Sequence, residues 1–417
     1  MGNRVSSIGI DGLGVRVPYG IPRPTKESTE KLNQLIRANN ASYQVFFNQR
    51  KFHNHLPHSL SSIYFLGATP EQLTAMYEEE AQRLDPWLED SPENITDENW
   101  VSHLGDKAYE RGYFDYFGDK ISDANWDYSP WDWRKVSKDF LLDHNGENMF
   151  DGLVGGLLHP LIHFGYAQEL DSGFVAAEAL TLTACSYQDL STFVKPDDKV
   201  PKTDDVVSIL TEIRNDPSFD EFDHPSKTST SKAMDRFPEQ LNYYTNRLQI
   251  DATTPEKLIK ASAALFTASH KDDDPQYDFF LLHCLTSSHE ALELLLAPAV
   301  TTSFLPRKVQ EKLVRELWFT VVTVYVAQCR PTIKLSRVND YQIESKEAAW
   351  KEAVDLTLNG KERFDLHLAK AVRALLFTEQ YFAEDTDFYA KAVLQYTRNF
   401  SENGYANRNG HYLDIKN

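Results

Sequence analysis

From Thr254 to Thr397 one segment after another carries apolar residues at helical spacing. PEKLIKASAALFTASH, YDFFLLHCLTSSHEALELLL, RKVQEKLVRELWFTVVTVYVAQC and DLHLAKAVRALLFTEQYF are examples. Alternation with a period of two, bounded by hairpin turns, recurs nowhere, so this text predicts helices packed on helices. The same pattern extends upstream. Thr25, Glu27, Ser28 and Glu30 suit a helix start before Leu32, Leu35 and Ile36, and Thr69-Pro70 opens another helix expected to run to about Leu84. Residues 148–190 hold two further helical patterns. The expectation is a mainly α protein, one large helical domain over 25–400, with a polar surface excursion at about 197–237, an extended N-terminal arm over 1–24 and a tail over 401–417.

Composition narrows the function classes. A net charge of −19 argues against nucleic acid or an anionic membrane as the main partner, because phosphate contacts need clustered cations. The longest apolar run, Leu317 to Cys329, is too short to span a bilayer. No charged segment followed by an apolar core opens the chain, so a cytoplasmic protein is expected; the start MGNRVS fits, loosely, the pattern for myristoylation at Gly2. Three cysteines, Cys185, Cys284 and Cys329, cannot frame a disulfide scaffold, and Cys284 reads as a core thiol. Glycine spacing near the N-terminus does not match a dinucleotide fingerprint, and no P-loop, G-x-S-x-G or H-E-x-x-H occurs.

The thirteen histidines are the informative feature, because several lie in apolar text where an unsatisfied imidazole is costly. His159 and His163, spaced i,i+4 in GLLHPLIHFGYAQEL, share a helix face and can grip one ion; the plainer reading is a buried hydrogen-bonded pair. In FHNHLPHSL, His58 is the preferred ligand, with His53 and His55 as supporting groups, against the reading of an exposed polar turn. His283 sits among Phe279, Phe280, Leu281, Leu282 and Leu285, where a core histidine is equally natural. In DLHLAKAVRALL, Lys370 falls near the apolar stripe beside His367. A lysine turned inward is driven toward the neutral amine, which can add carbon dioxide and become an anionic carbamate. The alternatives are pairing with Asp365 or Glu362, or snorkelling to solvent. Ligands scattered over several helices are the way helical bundles build metal sites.

Taken together and in order, FHNHLPHSL, GLLHPLIHFGYAQEL, FVAAEALT, DFFLLHCLTSS and DLHLAKAVRALL resemble the questin oxidase-like family over about residues 20–400. The resemblance implies oxygenative opening of an anthraquinone ring to a benzophenone-type product in secondary-metabolite biosynthesis, formally a Baeyer–Villiger oxidation. Some members of the family are non-haem iron dioxygenases. Carried onto this chain, Fe(II) would be held by His58, His159, His163, His283 and carboxylated Lys370, with O₂ as co-substrate; His367 stands close enough to Lys370 to compete, and the family pattern leads one to expect an apolar residue at His289. Four neutral imidazoles and one carbamate oxygen would leave one octahedral vertex open, and a nitrogen-rich shell suits Fe(II) better than Mg²⁺ or Ca²⁺. The alternatives are an NADPH-dependent Baeyer–Villiger monooxygenase, a zinc hydrolase built from the same histidines, and a metal-free helical binding protein. A flat tricyclic substrate needs an aromatic-lined slot, for which Tyr113, Phe114, Tyr116, Phe117, Trp126, Trp131 and Trp133 are candidates.

Overall fold

Helices start where short polar side chains satisfy the first free amides. Thr25 and Ser28 form a reciprocal capping box that opens α1 (Lys26–Ser42), burying Leu32, Leu35 and Ile36 as the periodicity requires. Thr69 and Gln72 do the same for a later helix, with Pro70 in its first turn. The computed structural model describes residues 20–87, 91–123, 132–273, 275–296, 305–382, 386–405, 413 and 415. Among these, the helices after α1 are α2 (Leu56–Phe65), α3 (Pro70–Ala81), α4 (Glu110–Asp123), α5 (Trp133–Leu142), α6 (His159–Leu170), α7 (Gly173–Cys185), α8 (Val206–Asn215) and α9 (Thr230–Arg236). They continue as α10 (Pro238–Arg247), α11 (Thr254–Thr267), α12 (Phe279–Leu296), α13 (Arg307–Ala327), α14 (Ser336–Asn339), α15 (Lys346–Asn359), α16 (Leu368–Phe382) and α17 (Phe388–Asn403). Two-residue strands β1 (Phe46–Phe47) and β2 (Phe52–His53) pair antiparallel. The protein is mainly α.

The arm expected over 1–24, Gly2 included, and the tail over 401–417 lie largely outside the described residues, as do Trp126 and Trp131. The polar stretch 197–237 is polar on one face only. It holds α8 and α9, and Val206, Ile209, Leu210, Ile213 and Phe219 are buried in the core. No described helix is long and apolar enough to cross a membrane.

Four helices frame the functional centre. α12 packs on α6 and on α16, α16 on α2, and α2 on α6, closing a ring. Side-chain caps fix three of the N-termini. Asn54 Oδ1 accepts from the Leu56 amide at 3.0 Å. Asp278 Oδ1 accepts from Phe280 and Leu281, each at 2.8 Å. Asp365 Oδ1 accepts from His367 at 2.9 Å and Leu368 at 2.8 Å. α6 starts differently. Gly156, Leu157 and Leu158 are three consecutive residues with φ of +51°, +56° and +67°, a left-handed turn that costs about 1 kcal/mol or more at each non-glycine position.

Candidate metal centre

Each helix of the ring delivers one histidine near its N-terminal end. His55 is the N-cap of α2, His159 opens α6, His283 lies one turn into α12, and His367 immediately precedes α16. All four are buried, and one nitrogen from each lies within 4.8 Å of the others. The remaining nitrogens explain the arrangement. His55 Nδ1 is 2.5 Å from the His53 carbonyl, His159 Nδ1 is 2.7 Å from the Gly156 carbonyl, and His283 Nδ1 is 2.7 Å from the Phe279 carbonyl. A carbonyl only accepts, so each Nδ1 carries the proton and donates it. Each Nε2 is then a bare lone pair in the neutral ring.

The fit to a cation follows from one distance. His55 Nε2 and His159 Nε2 are 2.9 Å apart, and neither has a proton for the other. Burial pushes both imidazoles well below the ordinary histidine range, helped by the Lys370 charge near His55 and the His53 charge near His159, so a shared proton is disfavoured. Two nitrogens on adjacent vertices of an ion at about 2.1 Å would stand about 3 Å apart. His283 Nε2 and His367 Nε2 also lack hydrogen-bond partners among the described residues; burial holds His283 down at about 3 and His367 well below its usual value. Four convergent imidazoles, three of them with the proton fixed at the back on a carbonyl, are a donor set for a transition metal.

Lys370 is 1% exposed and its Nζ has no hydrogen-bond partner among the described residues. Burial pulls its ammonium down to about 7, while Asp365 and Glu290 pull upward. It stands one turn beyond His367 on α16, and its charge is felt by His53, His55, His58, His159, His283 and His367.

The set expected from sequence and the set brought together by the fold overlap without coinciding. His159 and His283 are in the four-histidine group; His55 and His367, expected as supporting groups, join them. His53, the third supporting candidate, stacks on the His159 ring at 3.8 Å and 7°. His58 and His163 face one another instead, His58 Nε2 to His163 Nδ1 at 2.8 Å. His163 Nε2 is 2.9 Å from Glu178 Oε2 on α7. Glu178 lies in the FVAAEALT string but was not singled out as a site residue, because the residue it meets is fifteen positions away on another helix. Its second oxygen accepts from Asn39 at 3.3 Å and Asn40 at 3.0 Å.

The rings beside the centre are also different from those expected. Phe279 packs on His283 and His367, and Tyr166 stacks on His58. Tyr113, Tyr116 and Phe117 pack among themselves and on Phe140, while Phe114 stacks near Trp87. Trp133 is fully buried on α5, which packs against α7. A cavity of about 600 Å³ lined by Lys257, Lys260, Leu335, Phe382 and Phe388 contains none of the site histidines.

A model of the questin oxidase-like family matches residues 52–375, from the segment before α2 to the middle of α16, and so covers all four histidines. The chain belongs to the questin oxidase-like family. Curated relatives of this family member include a questin oxidase of Aspergillus fumigatus, 23% identical over 395 residues, covering 88% of this chain and 86% of that protein. A Baeyer–Villiger oxidase of Emericella nidulans is 25% identical over 378 residues, 84% of this chain and 82% of the relative. An oxidoreductase of Aspergillus parasiticus is 23% identical over 377 residues, 85% and 73%.

Proposed function

We propose that this oxidoreductase is an Fe(II)- and O₂-dependent dioxygenase that opens the ring of an anthraquinone, giving a benzophenone-type product. Membership of a family named for questin oxidation supports the substrate class. The observation that carries the metal is the pair of bare Nε2 atoms at 2.9 Å, each backed by a proton committed to a carbonyl. His55, His159, His283 and His367 are the favoured ligands, with Lys370 supplying a fifth donor as its carbamate. The reading favours His55 and His367 over the His58 and His163 expected from sequence, because both nitrogens of His163 and one of His58 are engaged within that pair and with Glu178, and neither residue falls in the four-histidine group. Carbamate formation consumes the neutral amine and CO₂ and releases one proton, which a lysine held near 7 allows at physiological pH. The anion also lowers the charge that a divalent ion brings into an apolar interior. When bound, Fe(II) supplies the activation of O₂ that a closed-shell organic substrate needs.

The chain itself would handle the proton. Glu178 orients His163, His163 Nδ1 accepts from His58 Nε2, and His58 Nδ1 is left as a bare buried base. A phenol proton taken at His58 Nδ1 can be relayed toward Glu178, where the carboxylate stabilises the resulting charge. The test is turnover of an emodin- or questin-type anthraquinone by iron-loaded protein, with O₂ and NADPH each omitted in turn. Loss without O₂ and indifference to NADPH is the expected result. A need for NADPH on every turnover points to the monooxygenase alternative, and turnover unaffected by removing O₂ points to a zinc hydrolase. Metal below about 0.1 ion per chain in protein purified without chelator removes every metal reading.

A further inference from the structure

The ring of α2, α6, α12 and α16 holds a second buried polar cluster further along the same four helices. Counted from His283 to His289 on α12, or from His367 to Arg373 on α16, it lies about 9 Å along the helix axes at 1.5 Å per residue. Glu169 on α6 and His289 and Glu293 on α12 bring one donor atom each within 4.8 Å of one another. His289 Nδ1 is 3.1 Å from Glu290 Oε1, and His289 Nε2 is 3.8 Å from Glu293 Oε1. The side chains of His289 and Glu290 are each only 1% exposed. Yet His289 Nε2 and both Glu290 oxygens lack a hydrogen-bond partner among the described residues. Gly165 is what lets α12 come so close, since a Cβ there would overlap the Glu290 side chain.

The cluster is short of positive charge. Arg373 is the guanidinium in it, and it is occupied by Glu169, which it meets with both terminal nitrogens, one at 2.6 Å. Glu290 is 4.0 Å from the same guanidinium. Glu290 and Glu293 share the His289 imidazole in a buried interior, with Lys370 and Tyr166 also acting on Glu290. The C-terminal turns of α2 and α6 end beside it, at Phe65 under Arg373 and at Glu169, and add negative dipole ends. Buried charge of this kind is stable only when paired or when it coordinates a metal.

We propose that Glu169, His289 and Glu293, with Glu290 as an adjacent fourth donor, form a second metal site, distinct from the four-histidine centre and selective for a divalent ion of the Mn²⁺ class. The donor set is rich in carboxylate oxygen with one imidazole, which suits Mn²⁺, whereas the nitrogen-only set suits Fe(II). One divalent ion would offset the two carboxylates that Arg373 does not meet with both nitrogens, and binding it releases the proton from His289. The two sites share helices but no ligands, so each can be emptied alone.

The experiment counts metal in the full-length protein after loading with Fe(II), then Mn²⁺, and desalting. Wild type should hold about two ions per chain, and His289→Ala and Glu293→Gln about one, keeping iron and losing manganese. His283→Ala should do the reverse. Its electron paramagnetic resonance spectrum should show manganese bound to oxygen donors, which also decides the matter if neither cluster variant folds. Wild type that holds no manganese, unchanged manganese in both cluster variants, or no bound manganese in His283→Ala would overturn the proposal and leave an ion-pair network neutralised by protons. Loss of iron in wild type alone would count against the dioxygenase reading and leave this site standing.

Discussion

His55 Nε2 and His159 Nε2 confront each other across 2.9 Å although the residues are 104 positions apart. Each ring is turned so that its only proton goes to a main-chain carbonyl, His53 for one and Gly156 for the other. A cation between them would absorb the repulsion of the two lone pairs. On the proposed function the metal-free protein would then be the strained form, and the metal would contribute to the folding free energy.

Single substitutions should therefore divide the histidines into two groups. His55→Ala, His159→Ala, His283→Ala and His367→Ala should each reduce iron in purified protein by tenfold or more, as losing one ligand of a tight site does. His58→Ala and His163→Ala should keep iron while slowing turnover about 10²–10⁴-fold, the usual worth of a general base. Elemental analysis beside steady-state rates reads both. Iron lost with His163→Ala and kept with His55→Ala would restore the ligand set suggested by the i,i+4 spacing.

Lys370→Met should fold, since it replaces a buried, unpartnered amine by an apolar chain of similar length. It should lose most activity, and added bicarbonate should not restore it. Wild-type protein equilibrated with ¹³C-bicarbonate should show a carbamate carbon resonance that Lys370→Met lacks. An identical spectrum for the two proteins would remove the carbamate.

Glu316 on α13 tests the electrostatics of the fold apart from the metal. Burial raises its carboxyl to about 8 from an ordinary 4.5, with Lys312, 3.4 Å away, pulling the other way. Between those values the folded protein holds a proton that the unfolded chain has released. The stabilisation present below pH 4.5 is thus lost as pH rises through 8. Glu316→Gln should remove that slope, leaving the variant more stable than wild type above pH 8, by an amount on the order of a few kcal/mol. Denaturant unfolding of both proteins at pH 5 and pH 9 measures it.

Gly155→Ala should cost about 1–3 kcal/mol and loosen iron, because the new methyl would overlap the Ser186 carbonyl where the chain passes α7 before its left-handed turn. Leu157→Gly is the complementary change, relieving a positive φ of 56°, and should leave stability unchanged or slightly higher. Melting temperature with and without chelator separates the two effects.

The helices were legible in the sequence because the 3.6-residue period and the caps at Thr25 and Thr69 are local properties of contiguous residues. So was the place of Lys370 on the stripe of α16, but whether it was buried, paired with Asp365 or Glu362, or snorkelled to solvent was decided only by the fold. The polar excursion at 197–237 was harder to read, since α8 is apolar on one side only and its charged face dominates the composition. Which histidines share a centre was not legible at all. The spacing of His159 and His163 places them on one helix face, but the left-handed turn at 156–158 and the pull of Glu178 aim them at different partners. His55, His283 and His367 meet His159 only through the register of four helices packed side by side. Register is decided by how distant apolar surfaces interlock, and no short window of residues contains that information.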